Sequence, residues 1–221
     1  MAIYLCIDIG TTSIKAAEKD STGRILKKAE LRRLDGPFHT SIQPLNEREA
    51  ANCLKTLLSR MESQSYWAAA SLPAFNAFTT VAPTPDPKYI PAAPSLYKMD
   101  AIKLNDGRYF LLAVPREVIL KYKRIFAAAG LRLARLEIES FPLARQFARS
   151  AEPTLIIDVG ERSTTFTIAS GGKAHFVSQS DFSLVSNAED VIMEKARLLA
   201  EKKKIKRIIT ASSPFAVVNG L

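Results

Sequence analysis

One short pattern occurs twice in this chain, once near its start and once in its last third, and it limits the fold more than any other feature. Each copy is an apolar stretch that ends in Asp-x-Gly: the first is Asp8-Ile9-Gly10 and the second is Asp158-Val159-Gly160. Apolar runs that end in turn residues are typical of β-strands leading into hairpins. Two copies of one strand-and-turn unit predict an internally duplicated fold.

The elements predicted after each copy follow the same order. The motif strands are predicted at 3–9 and 154–159, and Asn46 with Glu49 three positions later is typical of a capped helix start. The order βββαβα, followed by a partial βββα, predicts an α/β fold of two related lobes, 1–150 and 151–221. The remaining predictions are strands at 14–19, 24–33, 66–72, 131–138, 164–169, 173–180 and 205–210, and helices at 142–148 and from about Asn187.

A small insert is expected within the first lobe, at about 75–115. Its first part, after a strand at 78–82, carries five prolines between Pro83 and Pro94, which exclude an internal helix or a central strand and predict an extended loop. Its second part has Asn105-Asp106-Gly107 between strands at 97–104 and 108–114, a strong hairpin signal. A helix opened by Pro115 is then predicted to end before Gly130.

Composition indicates an ordinary soluble globular protein, with 47% hydrophobic and 24% charged residues. There is no apolar run long enough for a membrane span and no signal-peptide pattern, and two cysteines make no disulfide framework, so a reducing cytosol is expected. The formal charge of +9 is spread over helices rather than interleaved with aromatics, so no nucleic-acid partner is expected. A docking surface for anionic lipids stays an alternative. Trp67 is interpreted as a core residue.

The residue types of the repeated motif suit phosphate binding. Glycine lets the backbone approach a ligand closely or adopt a positive φ, and successive turn amides can form an anion site. Lys15 could neutralise phosphate charge, and a carboxylate at each strand end, Asp8 or Asp158, could hold Mg²⁺ through water. The alternative for either copy alone is a plain β-hairpin with an Asp-stabilised turn.

The motifs resemble known phosphate loops. Residues 8–15 resemble the first phosphate loop of the actin, heat-shock-chaperone and sugar-kinase superfamily, and 158–165 resemble the second. The stretch 112–147 resembles the PilM family, the actin-like, FtsA-related cytosolic proteins of type IV pilus assembly, with the strongest similarity over 111–176. The resemblance implies an actin-like (ribonuclease H-like) fold that binds ATP and Mg²⁺.

Site residues follow from the resemblance by position. Asp8 and Asp158 would lie near Mg²⁺, and Glu139 falls where hydrolysing relatives keep a water-polarising acid. The alternative for Glu139 is an acid that favours a helix N-terminus. The implied phosphate contacts are Gly10, Thr11, Thr12, Ser13 and Lys15 on one side and Gly160, Ser163, Thr164 and Thr165 on the other.

The resemblance also implies partners. Members of the PilM family bind the N-terminal tail of the membrane protein PilN and contact other platform proteins, so the chain is expected to be a cytoplasmic scaffold peripheral to the inner membrane. Self-association is a further alternative.

Two departures from the family pattern predict a reduced second lobe. The subdomain that helps enclose the nucleoside is expected to be missing, because Ser183 leads almost directly into the helix predicted from Asn187. The glycine-rich adenosine loop is replaced by Ala211-Ser212-Ser213. Activity is therefore expected to be at most a weak ATPase. The alternatives are a pseudo-ATPase adaptor without nucleotide binding and a small phosphotransferase of the sugar-kinase branch.

Overall fold

The computed structural model describes residues 3–32, 37–38, 45–161, 163–181, 188–211 and 217. Twelve strands and four α-helices are assigned within these ranges. In chain order they are β1 (Ile3–Ile9), β2 (Ser13–Asp20), β3 (Ile25–Arg32), α1 (Glu47–Met61), β4 (Trp67–Leu72), β5 (Phe78–Ala82), β6 (Tyr97–Lys103), β7 (Tyr109–Pro115), α2 (Arg116–Ala128), β8 (Arg132–Ile138), α3 (Ser140–Phe147), β9 (Thr154–Val159), β10 (Thr164–Ser170), β11 (Lys173–Ser180), α4 (Glu189–Lys203) and β12 (Arg207–Thr210).

The chain divides into two compact units that differ from the predicted lobes. The small insert belongs to the same compact unit as the later part of the chain. The lobe boundary predicted at residue 150 rests on the sequence repeat and stays a prediction. Unit 1 comprises Met1–Pro73, Val118–Pro142 and Ser213–Leu221, and unit 2 comprises Ala74–Glu117 and Leu143–Ser212.

Unit 1 is built on a five-stranded sheet with the order β3-β2-β1-β4-β8. The first three strands are antiparallel neighbours, and β4 and β8 join them in parallel. Helix α1 begins at Asn46, whose side chain accepts a hydrogen bond from the Glu49 amide at 3.2 Å. The predicted capped start is therefore confirmed.

Unit 2 contains a four-stranded sheet with the order β11-β10-β9-β12 and a three-stranded sheet with the order β5-β7-β6. In the four-stranded sheet β9 pairs antiparallel with β10 and parallel with β12, as β1 pairs with β2 and β4 in unit 1. Helix α4 packs on this sheet through Ile192, Ala196 and Ala200. The predicted duplication is confirmed, because strand order and strand direction are the same in both copies.

The proline-rich part of the insert contains more local structure than the predicted extended loop. Two short 3-10 turns, Pro87–Tyr89 and Pro94–Leu96, occur in it. Both have a proline in their first turn, where the missing N–H breaks no bond. Between these turns Ile90 is buried against Tyr97 and Leu111 of the small sheet.

Three other expectations need correction. Trp67 is not a core residue, since 38% of it is exposed and the Arg132 guanidinium lies over its ring at 4.6 Å. Pro115 ends β7, and the following helix starts one residue later. The last strand starts at Arg207 rather than at residue 205, and the Ile205 side chain is buried in the core cluster below α4. Among the described residues, no helix is long and apolar enough to cross a membrane.

Candidate phosphate-binding hairpins

The first Asp-x-Gly motif forms the tight turn between β1 and β2. The Gly10 amide donates to the Ser13 carbonyl at 2.9 Å, and the register behind the turn pairs Asp8 with Lys15. Thr11 and Thr12 at the tip are half-buried, whereas the Ser13 side chain is buried. The Thr11 carbonyl accepts from the Phe38 amide at 2.7 Å. The tip is thus fixed by backbone hydrogen bonds, with its two threonines at the surface.

The second motif forms the same turn between β9 and β10. The Gly160 amide donates to the Ser163 carbonyl at 2.9 Å, and the register pairs Asp158 with Thr165. Gly160 is exposed, and Ser163 is half-buried. The Ser163 hydroxyl accepts a hydrogen bond from the Gln179 side-chain amide at 2.9 Å. The two motifs therefore agree in backbone closure as well as in sequence.

Crowding, not a positive φ, explains both motif glycines. Neither glycine has a left-handed backbone conformation. A Cβ at Gly10 would lie 3.3 Å from the Ser13 carbonyl oxygen, and a Cβ at Gly160 would lie 3.0 Å from that of Ser163. The close approach seen at both glycines is to the serine carbonyl of the turn itself, and approach of the backbone to a ligand stays a prediction.

Asp8 is buried and held by two side chains of its own sheet. The Ser71 hydroxyl donates to its Oδ1 at 2.5 Å, and the Lys15 Nζ lies 3.7 Å from its Oδ2. Both partners come from neighbouring strands, Lys15 from β2 and Ser71 from β4. A buried carboxylate needs such partners because it has lost its hydration. Sequence reasoning missed Ser71, which lies 63 positions away in the chain.

The partners of Asp8 belong to a polar row that crosses all five strands of the unit 1 sheet. Side chains in register on adjacent strands share a face of a sheet, so this row lies on one face. It crosses the sheet close to the carboxyl ends of β1, β4 and β8, the edge at which open α/β sheets bind ligands. Its members are Glu30, Lys15, Asp8, Ser71 and Glu137.

Asp158 has different neighbours at the equivalent positions. Thr165 lies where Asp8 has Lys15, and Ala211 follows β12 where Asp8 has Ser71 on β4. The half-buried Asp158 therefore has neither the lysine nor the serine that holds Asp8. The two acids are alike in backbone position and have diverged in their side-chain environment.

The two threonines of the second motif that were predicted to contact phosphate are more buried than expected. Thr164 and Thr165 are both buried, on β10. The phosphate contacts assigned to them stay predictions. Ser212 and Ser213 of the predicted adenosine loop lie outside the described residues. The stretch 182–187, where the subdomain that encloses the nucleoside was expected to be missing, also lies outside them.

Glu139 lies between β8 and α3, half-buried, and its amide donates to the Leu72 carbonyl at 3.0 Å. The fully buried Tyr122 of α2 interacts electrostatically with the carboxylates of Asp8 and Glu139. Burial raises the pKa of the Tyr122 phenol well above its usual value, and the two carboxylates raise it further. The Tyr122 hydroxyl has no hydrogen-bond partner among the described residues. Tyr122 was not among the residues that the sequence indicated for this site.

Magnesium would fit the two acids unequally. Mg²⁺ is usually held by one or two carboxylates together with phosphate oxygens and water. At Asp8 an ammonium group already lies 3.7 Å from the carboxylate, so a divalent ion there would share its ligand with Lys15. At Asp158 the corresponding cross-strand neighbour is an uncharged threonine. The magnesium role of both acids stays a prediction, and the described residues contain no group of three or more Asp, Glu, His or Cys side chains that could hold a metal ion.

Comparisons with known proteins identify the fold. No protein-family model and no curated protein matches the chain. A solved PilM-PilN type IV pilus biogenesis complex matches with a TM-score of 0.68 and 16% identity, over 92% of this chain and 66% of that one. The cytoplasmic domain of EpsL, an inner membrane component of the type II secretion system of Vibrio cholerae, matches with a TM-score of 0.61 and 10% identity, over 98% and 93%.

A third structure, a Bacteroides thetaiotaomicron protein with an actin-like ATPase fold and unknown function, matches with a TM-score of 0.52 and 11% identity, over 94% of this chain and 80% of that one. The chain has an actin-like fold, as the resemblance implied. It spans just under two thirds of the matched chain of the pilus complex.

Proposed function

We propose that this chain is an actin-like scaffold of a bacterial pilus or secretion platform, and that it responds to a bound nucleotide. One observation carries the nucleotide part: two hairpins with the same Asp-x-Gly sequence close with the same Gly-to-Ser hydrogen bond, 2.9 Å in each copy. The same closed turn in both copies supports one shared role for the two motifs. A PilM-like role in type IV pilus assembly remains the more specific form of the proposal.

ATP with Mg²⁺ is the proposed ligand. Gly10, Thr11 and Thr12 would supply phosphate contacts from the first hairpin, and Gly160 and Ser163 from the second. Lys15 could leave Asp8 for a phosphate oxygen, since the two groups are 3.7 Å apart and the lysine side chain is 20% exposed. Asp158 would act on Mg²⁺ through water. Glu139 would polarise a water molecule in a weak ATPase reaction.

A matched pair of aspartate variants tests nucleotide binding. Asp158→Asn removes the charge of a hairpin acid in unit 2, and Asp106→Asn removes one from another hairpin of the same unit. Mg·ATP at about 100 times its Kd should stabilise the parent by about 2.7 kcal/mol, or roughly 5–10 °C in Tm. The Asp106→Asn protein should keep this shift, and the Asp158→Asn protein should lose most of it.

A pseudo-ATPase adaptor is the second candidate, and the surroundings of Asp8 favour it. Lys15 and Ser71 already satisfy this carboxylate without a ligand, as expected of a hairpin kept for structure. No thermal shift with saturating Mg·ATP in the parent protein would decide for this candidate and against nucleotide binding.

The scaffold role requires a membrane partner, for which the N-terminal tail of a PilN-like protein is proposed. The solved PilM-PilN complex supports this choice, and the EpsL match supports a role beside an inner-membrane component, since it spans nearly all of both chains. Calorimetry with a synthetic tail peptide, and a scrambled peptide as control, tests the partner. Equal heats from both peptides would contradict it. Contacts with other platform proteins and self-association stay open in this proposal.

A further inference from the structure

Of the hydroxyl residues predicted to contact phosphate from the second motif, Ser163 is the most accessible. Thr164 and Thr165 are buried on β10, whereas Ser163 is half-buried. The backbone of Ser163 is fixed by the turn, because its carbonyl accepts from the Gly160 amide at 2.9 Å. Ser163 is therefore the hydroxyl of this motif that is best placed to reach a ligand.

The side chain of Ser163 is held by Gln179 of β11. The Gln179 Nε2 donates a hydrogen bond to the Ser163 Oγ at 2.9 Å. A hydroxyl group has one hydrogen to donate and two lone pairs that can accept. Since Gln179 occupies a lone pair of the Ser163 oxygen, this contact leaves the hydroxyl hydrogen to be donated to another acceptor.

Strand register explains how Gln179 reaches this hairpin. Gln179 is in register with Thr165 of β10, and Thr165 is in register with Asp158 of β9. Side chains in register on adjacent strands share one face of a sheet. Ser163 comes two positions before Thr165, so Gln179 meets it as a diagonal neighbour on this face. The contact thus lies on the face that carries the motif acid.

The internal repeat has a different side chain at the position of Gln179. In unit 1 the equivalent row is Asp8, Lys15 and Glu30. An ionised carboxylate such as that of Glu30 only accepts hydrogen bonds, whereas an amide can also donate them. At this position the second copy therefore supplies a donor where the first copy supplies an acceptor.

We propose that Gln179 is a positioning residue for phosphate at the second hairpin: it holds the Ser163 oxygen from one side, so that the Ser163 hydrogen is presented to a phosphate oxygen. This inference rests on the proposed nucleotide binding. The two hydrogen bonds run in one direction, from the amide through the hydroxyl to the phosphate, and bonds arranged in such a chain strengthen one another. Gln179 acts through Ser163 and does not touch the ligand.

A double-mutant cycle measured by calorimetry with Mg·ATP tests this role. Gln179→Met removes the amide and should weaken binding about 10-fold, because the Ser163 hydroxyl loses the partner that orients it. Ser163→Ala should weaken binding about 10-fold or more, because it removes the donor itself. The double variant should bind no more weakly than Ser163→Ala, since Gln179 acts only through that hydroxyl.

Gln179→Glu reverses the direction of the hydrogen bond. A carboxylate at this position can only accept, so Ser163 would donate to it and present a lone pair to the phosphate. This variant should bind Mg·ATP more weakly than Gln179→Met. The difference between the two variants should shrink when Ser163 is alanine, because the negative charge alone then remains.

Gln146→Met is the matched control, since it makes the same change in the same compact unit. Gln146 adjoins Arg145, whose Cα would lie 3.9 Å from a Cβ at Gly172, in the turn between β10 and β11. Ser163 precedes the opposite end of β10, a strand of seven residues that spans about 20 Å. This variant should change the affinity for Mg·ATP less than about twofold.

Hydrogen exchange at the Gly160 amide separates positioning from support of the turn. In Gln179→Met this amide should exchange as slowly as in the parent, because its bond to the Ser163 carbonyl does not involve the glutamine. Faster exchange would mean that Gln179 only supports the turn.

The calorimetric results distinguish this inference from the proposed function. A parent protein that does not bind Mg·ATP would overturn both. Binding by the parent with unchanged affinity in Gln179→Met would overturn the positioning role alone. Additive losses in the double variant would mean that Gln179 acts on the ligand independently of Ser163.

Discussion

At the scale of single residues, two buried serines of unit 1 can be compared to distinguish the stabilising effect of a hydrogen bond from the effect of burial alone. Ser71 and Ser140 are both fully buried. Ser71 donates to the buried Asp8 carboxylate, whereas the Ser140 hydroxyl has no hydrogen-bond partner among the described residues. The two positions therefore form a natural comparison.

Ser71→Ala should lower the free energy of unfolding by about 1–3 kcal/mol, because it leaves one oxygen of a buried carboxylate without its donor. Ser140→Ala should be neutral or slightly stabilising, since it removes an unpaired hydroxyl. Urea unfolding of both variants measures the difference. Equal losses would mean that serine volume, and not the bond to Asp8, determines stability here.

Because of Tyr122, the free energy of unfolding is predicted to fall at high pH. Its folded pKa lies well above the ordinary tyrosine value of 10.0, so its contribution to stability is complete below pH 10 and is lost as the pH rises toward the folded pKa. Tyr122→Phe keeps the ring and removes the titrating group. The variant should be at least as stable as the parent at pH 7 and should lose less stability between pH 10 and 11.

Tyr97→Phe is the control for Tyr122→Phe. The Tyr97 side chain is also buried, but its hydroxyl donates to the Pro87 carbonyl at 3.4 Å. This variant should be slightly less stable than the parent at pH 7 and should keep the alkaline loss. Parallel curves for the parent and Tyr122→Phe up to pH 11 would show that the phenol does not titrate as inferred.

At the scale of elements, the two motif hairpins form the same turn, but they differ in how much space they leave for a side chain at the motif glycine. An added Cβ would lie 3.0 Å from backbone oxygen at Gly160 and 3.3 Å at Gly10. A backbone atom cannot move aside as a flexible side chain can. Gly160→Ala should therefore be the more harmful change.

We expect Gly160→Ala to lower the free energy of unfolding by about 1–2 kcal/mol and Gly10→Ala by less than about 1 kcal/mol. Gly23→Ala separates crowding from backbone strain, since Gly23 has φ of 83° and open space around it. Urea denaturation of the three variants gives the order. A larger loss at Gly10 than at Gly160 would mean that crowding against the serine carbonyl is not the cause.

At the scale of the whole molecule, duplication has preserved the backbone and changed the chemistry. Both copies keep three antiparallel strands, a helix and a parallel strand. Lys15 and Ser71 hold the motif acid of the first copy, and Thr165 and Ala211 occupy the equivalent positions in the second. Only the first copy has a further strand beyond its parallel strand in the described chain. The two copies thus share strand order and direction, and they differ in the side chains beside the motif acid and in the number of described strands.

Local sequence patterns were enough to predict the duplication, the twelve strands and four helices to within a few residues, and both motif turns. These features depend on local alternation of apolar residues, on Asp-x-Gly and Asn-Asp-Gly turn chemistry and on the Asn46 cap, all of which act over a few positions. The actin-like fold followed from the same motifs and was confirmed by the structural matches.

The side chains that surround those motifs could be identified only in the folded chain. Ser71 reaches Asp8 from 63 positions away, and Tyr122 lies near Asp8 and Glu139 although its helix pattern indicates plain core. The exposure of Trp67 likewise depends on which strands lie beside it. Strand register and burial are set by contacts between distant parts of the chain, and local sequence carries no record of them.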